Sequence, residues 1–148
     1  MGSDKLTTAE ADRIIKMLKC SLVDAINFPN KGKEQEFDVK GESDKDIFSI
    51  NIYRAKIQPF KYNYGARIKK NGIVLLQLHI NPTSVHYNPD GKKISGSHWH
   101  IYTEGFDRKY AFPAEDIGSD EFVENTIKFF KRFNIIDQPE IQYQLELI

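Results

Sequence analysis

Cysteine is nearly absent from this chain: one residue in 148, Cys20, so no intrachain disulfide can form and a packed core must hold the fold. Cys20 falls within a helix-like pattern, is expected to pack there, and fits a reducing, cytoplasmic setting. Net charge is absent too, with 21 basic residues balanced by 21 acidic ones, which removes the global signature of a strong duplex nucleic-acid binder. No apolar run is long enough to span a bilayer, and MGSDKLTTAE lacks the apolar stretch of a secretion signal, so no membrane role is expected. Glycine-rich phosphate loops of the Walker or dinucleotide type are missing, and Ser95 and Ser97 lack the context of a nucleophile elbow. No cofactor is implied.

What is present reads as one α+β domain over residues 1–148, with residues 1–5 a disordered or tag-derived leader. Thr7 and Glu10 have capping-box spacing and open a helix. Ile14, Ile15, Leu18, Leu22, Ala25 and Ile26 recur at three- and four-residue steps, which predicts that this helix continues to Asn27-Phe28-Pro29-Asn30. An antiparallel sheet of about five to six strands follows. Phe37 and Val39 mark one strand, and Phe48, Ile50 and Ile52 alternate with polar residues in the next. KYNYGARIKK and IVLLQLHI flank Asn71-Gly72, the signature of a two-residue hairpin loop, which predicts Lys70 opposite Ile73 and Tyr64 opposite His79. Asn88-Pro89-Asp90-Gly91 is a turn at the tip of a smaller flap that leads into a strand over His98–Thr103. Tyr110-Ala111-Phe112 reads as another short strand. A second helix is expected from Ser119, with Phe122, Val123, Ile127, Phe130 and Phe133 as its buried stripe, then a terminal strand over Ile141, Tyr143, Leu145 and Leu147.

The chain has only four histidines, and half of them fall in SGSHWHIYTEG. On a strand, His98, His100, Tyr102 and Glu104 share one face and Trp99, Ile101 and Thr103 the other. A row of titratable groups is costly to bury unpaired, so the row is expected to line a groove. One chemistry it suits is metal-independent acid–base catalysis on RNA or a nucleotide. His98 and His100 would then be the proton-transferring pair, with Tyr102 as an orienting group. Arg108 and Lys109 would clamp phosphate, with Glu104 beside them and Arg67 or Lys69 as further cations. A second is a metal site: HWHIYTE resembles the opening His-x-His-x3-Glu of the cupin metal motif over seven residues, but no histidine follows His100. A third is a non-catalytic contact face for a host or defence protein. His79 reads as a satisfied sheet residue near Tyr64, His86 as exposed, and Tyr53, Tyr62 and Tyr64 as a possible base-stacking surface.

LLQLHI, NPDGKKI and SHWHIYTEGFDRKYAFP together resemble a group of small, largely uncharacterised proteins of Gram-positive bacteria and their mobile elements. Similar members carry an LLRLDI-like strand, an Asn-Pro-Asp-Gly turn and a His-x-His-Ile-Tyr-x-Glu-Gly run. The resemblance spans Leu75 to Pro113. It departs at His79, where the pattern has an acidic residue, and at Phe106-Asp107-Arg108, where Tyr-Gly-Asp is commoner. It implies a phage, prophage or defence setting, in which small proteins divide mainly into RNA-cleaving toxins and stoichiometric inhibitors.

Overall fold

The computed structural model describes residues 5–58, 60–115, 117–118 and 120–143. Helix α1 (Thr8–Lys16) is followed by β1 (Lys19–Ser21), β2 (Ala25–Asn27), β3 (Glu34–Lys40), β4 (Ile47–Arg54), β5 (Tyr62–Ile68) and β6 (Val74–Ile80). Then come β7 (Val85–Tyr87), β8 (Lys93–Ser95), β9 (His98–Ile101), β10 (Ala111–Pro113), α2 (Phe122–Arg132), β11 (Ile135–Asp137) and β12 (Glu140–Gln142). The α+β class is as expected. Eight strands form the main sheet in the order β10-β9-β6-β5-β4-β3-β1-β11, antiparallel throughout except between β1 and β11. Two ribbons, β2–β12 and β7–β8, stand beside it. No helix among the described residues is long and apolar enough to cross a membrane.

Thr7 caps α1 as its spacing predicts: Glu10 N–H donates to Thr7 Oγ1 at 3.0 Å, and Thr7 N–H donates to the Glu10 carboxylate at 2.9 Å. The helix nevertheless stops at Lys16, ten residues short of Ile26, because Met17 turns extended at ψ 137°. Lys19 explains the stop. Its side chain is wholly buried, and its ammonium donates to the carbonyls of Ile15, Met17 and Phe133 at 2.8–3.0 Å, satisfying orphan acceptors at the ends of both helices. Burying Lys19 on β1 turns Cys20 outward, so the cysteine expected to pack in a helix is exposed on a strand. Leu18 and Leu22, which supplied the helical spacing, are exposed as well.

One sheet face packs on α2. Phe129 stacks on Tyr64 at 5.3 Å and on Trp99 at 6.2 Å, while Phe130 meets Phe37 and Phe133 meets Phe48 edge-on. Tyr62 and Tyr64 are therefore fully buried and form no stacking surface with the partly exposed Tyr53. Their hydroxyls bond Asn125 and Thr126 of α2, which occupy the inner stripe where Val123, 37% exposed, was expected. Ser119, Leu145 and Leu147 lie outside the described residues, as do residues 1–4.

The register of β5 on β6 positions the site. The connection is a four-residue loop, with Ile68 N–H donating to Ile73 O. Gly72 takes φ 76°, whereas Asn71 accepts from Ile73 N–H through its side chain, so the two-residue loop does not form. A bulge at Leu75 follows, since Arg67 faces Val74 and Ala66 faces Leu76. Tyr64 consequently pairs with Leu78, and His79 pairs with Asn63. A one-residue slip moves a side chain to the opposite face, and here it takes His79 off the core side.

Candidate functional site

Cross-strand partners share a face, so the register writes out the outer surface of the sheet. One row runs Asn51, Gly65, Gln77, His100; the next runs Tyr53, Asn63, His79, His98. Three histidines are thereby gathered on neighbouring strands. His86 closes the group from the β7–β8 flap. Its turn forms as expected, with Gly91 at φ 88° and Gly91 N–H donating to Asn88 O. The buried Asn88 side chain clamps the flap to β10, donating to Ala111 O at 3.0 Å and accepting from Ala111 N–H at 2.7 Å. Ring centroids lie 4.7 Å apart for His79–His100, 4.8 Å for His98–His100, 5.2 Å for His79–His98 and 5.0 Å for His86–His100.

These rings line a cavity of about 620 Å³ together with Lys61, Asn63, Gln77, Asn81, Ser84, Val85 and Arg108. Among the described residues lining it none is acidic, so Lys61 and Arg108 leave its charge positive in a chain of zero net charge. One nitrogen or ring-ligand atom from each of His79, His98 and His100 lies within 4.8 Å of the others. Tetrahedral zinc holds imidazole nitrogens about 3.3 Å apart, given metal–nitrogen bonds of about 2.0–2.1 Å.

The hydrogen bonds of these rings fix tautomers, because a carbonyl only accepts. His98 Nδ1 donates to Gly96 O at 2.9 Å, which leaves Nε2 with a lone pair. His86 Nε2 donates to Lys109 O at 2.8 Å, which leaves Nδ1 as its acceptor. His100 Nδ1 is buried with no hydrogen-bond partner. Desolvation lowers all three sheet histidines: His79 to about 3, with His100 and His98 repelling its charge further, and His100 to about 4 against a raising main-chain contact from Arg108. His98 is lowered by the same burial, opposed by the Gly96 carbonyl. His79 and His100 are thus neutral at neutral pH, the form in which imidazole ligates metals.

The expected site residues divide. His98, His100 and Arg108 come together in the cavity. Tyr102 does not: β9 ends at Ile101, and Tyr102 joins the core, its hydroxyl donating to Leu6 O at 2.8 Å and accepting from Leu6 N–H at 3.1 Å. Glu104 is exposed, with its backbone N–H donating to Thr8 Oγ1. Lys109 contributes its carbonyl to His86 while its side chain lies exposed. Arg67 and Lys69 are engaged by Glu36 and Asp38. His79, read from its spacing as a satisfied sheet residue, and His86, read as exposed, join His98, His100 and Arg108 in the cavity, as do Lys61, Asn63 and Gln77, to which no motif points. The alternation of Leu76, Leu78 and Ile80, all fully buried, already assigns Gln77 and His79 to the outer face.

Fold and site define the class: an α+β domain with a polar, histidine-walled cavity on the open side of its sheet. The chain belongs to a family of unknown function, DUF6978, which matches residues 6–135. No curated protein and no solved structure matches it.

Proposed function

We propose that the cavity is a transition-metal site of the zinc class and that the protein performs metal-assisted hydrolysis of a phosphate ester. The observation that carries this reading is the convergence of His79, His98 and His100, with ligand atoms within 4.8 Å, in one cavity. Three imidazoles with a further position open to a cavity is the ligand count of hydrolytic zinc sites. Such an ion supplies Lewis acidity toward a phosphoryl oxygen and a water acidified toward neutrality. The chain supplies the rest. The Gly96 carbonyl holds the His98 ring in its ligating tautomer, as second-sphere acceptors do. Lys61 and Arg108 offset phosphate charge, and His86 brings an acceptor nitrogen on the flap. A metal-free His98–His100 acid–base pair is less well supported, because one ring must hold a proton that burial disfavours at His100. An exposed, unpaired Cys20 suits the cytoplasm.

The test is metal content. Purified protein is expected to retain about one equivalent of zinc or a neighbouring ion by elemental analysis, and His98→Gln/His100→Gln to retain none while keeping its fold. Metal-free wild type that takes up no added zinc, cobalt or nickel at micromolar concentration refutes the proposal.

A second reading rests on the flap, where Val85 and Tyr87 are 53% and 64% exposed. Such a pair is a contact surface for a host or defence protein in the mobile-element setting that the motif resemblance implies. Val85→Ser/Tyr87→Ser would abolish that capture and leave metal content unchanged.

A further inference from the structure

We infer that the histidine cavity continues into an adjoining apolar annex and that the combined cleft takes a nucleotide, phosphate toward the histidines and base in the annex. The inference rests on the metal-site reading for the phosphate end and on independent observations for the base end.

The annex, about 310 Å³, is formed by the β4–β5 connection and the segment after β6. Ile57, Phe60 and Pro82 supply its apolar surface, and it shares Lys61 and Asn81 with the histidine cavity, so the two spaces adjoin. Ile57 is 88% exposed and Phe60 48% exposed, so apolar surface stands open at the lip of a polar cavity. Phe60 is backed by Phe122, ring on ring at 6.2 Å and 14°, which holds it as a fixed platform. The loop is braced across its neck, Lys61 N–H donating to Gln58 O and Ala55 N–H to Lys61 O, each at 2.9 Å.

The order of these surfaces selects the ligand. Lys61 and Arg108, with no acidic lining residue described in either space, call for an anion at one end. Phe60 and Ile57 call for a flat apolar body at the other. Gln58 lies at that same end, and its carboxamide offers a paired donor and acceptor to the edge of a heterocycle; the Asn81 carbonyl oxygen beside it already accepts from Thr83, which leaves its amide N–H groups as donors. An acyl chain would cover the Gln58 amide without offering it a partner. A nucleoside monophosphate has the required sequence of anion, polar sugar and flat base.

The experiment compares AMP with ribose 5-phosphate, which carries a hydroxyl in place of the base, by equilibrium binding to the zinc-loaded protein, with both ligands verified intact at the end of each titration. AMP is expected to bind about tenfold tighter or more, the usual worth of stacking one base on an aromatic side chain. In Ile57→Ala/Phe60→Ala the ratio should fall toward one. Ile57→Ala alone, at a side chain too exposed to govern folding, should lower it part-way. A wild-type ratio near one, or a ratio unchanged in these variants, overturns the inference. Zinc content is read in parallel and should not change in either variant. Protein that takes up no added zinc yet still prefers AMP would sink the metal site and uphold the base subsite, whereas zinc-loaded protein with a ratio near one would do the reverse, so the two failures are separable.

Discussion

His79 and His98 are direct cross-strand partners on β6 and β9, and their rings stand 5.2 Å apart on the outer face of the sheet. That pairing brings the third imidazole to a wall for which β9 alone supplies two, His98 and His100, with rings 4.8 Å apart.

His79→Leu should therefore be as damaging to metal retention as loss of His98. Zinc at a hundred times its dissociation constant adds about 2.7 kcal/mol to the stability of a protein that binds it only when folded. Wild type is expected to show that gain in a thermal melt with added zinc, and His79→Leu to show none. Equal zinc-induced shifts in both proteins would remove His79 from the ligand set.

Tyr102→Phe separates the site from its scaffold. The phenol bonds both the N–H and the carbonyl of Leu6, tying β9 to the start of α1. Removing the hydroxyl should cost about 1 kcal/mol in urea denaturation. Phosphate-ester turnover and zinc content should stay at wild-type levels. A large fall in turnover without a stability change would restore Tyr102 to the catalytic groups.

How much of this could be read from the chain follows from which signals are local. The α1 cap, the buried positions Phe48, Ile50 and Ile52 and the Asn88–Gly91 turn rest on neighbouring residues and form as their spacing dictates, although Ser49, expected on a solvated face, is buried with its hydroxyl on Asp38. The continuation of α1 past Lys16 fails because the acceptor carbonyl that stops it includes Phe133, distant in sequence. The hairpin register fails because Asn71 spends its side chain on Ile73 N–H and Leu75 bulges, and neither choice is visible in an Asn-Gly pair. That one slip hid His79. His86 was hidden differently: its approach depends on Asn88 gripping Ala111, a contact between segments with no shared pattern.

The flap clamp is itself testable. Asn88→Ala leaves the N–H and carbonyl of Ala111 without their buried partner, at a cost of about 1–3 kcal/mol. Because His86 rides on the same ribbon, its grip on Lys109 O should loosen too. Hydrogen exchange is expected to accelerate across 85–95 and at Ala111 while the amides of β4 and β5 keep their protection. Uniform acceleration over the whole sheet would mean that the flap is not a separate unit.

Lys19 offers a pH test remote from the histidines. Burial alone lowers its ammonium from 10.5 to about 7, although three carbonyl acceptors and the Phe133 face, 3.8 Å away, favour the charged form and narrow the window. Between pH 7 and 10.5 the unfolded chain keeps a proton that the native lysine gives up, so the unfolded state binds more protons and stability rises with pH. Below pH 7 both states are protonated and the penalty of burying the charge is constant. The slope can reach at most about 1.4 kcal/mol per pH unit. Lys19→Met removes the titrating group and should flatten the rise, which denaturant melts at pH 7 and pH 9.5 would show as a smaller stability difference than in wild type. Equal differences in the two proteins would mean that the carbonyls hold Lys19 charged throughout, and that the amine is a permanent cationic pin between the two helix ends.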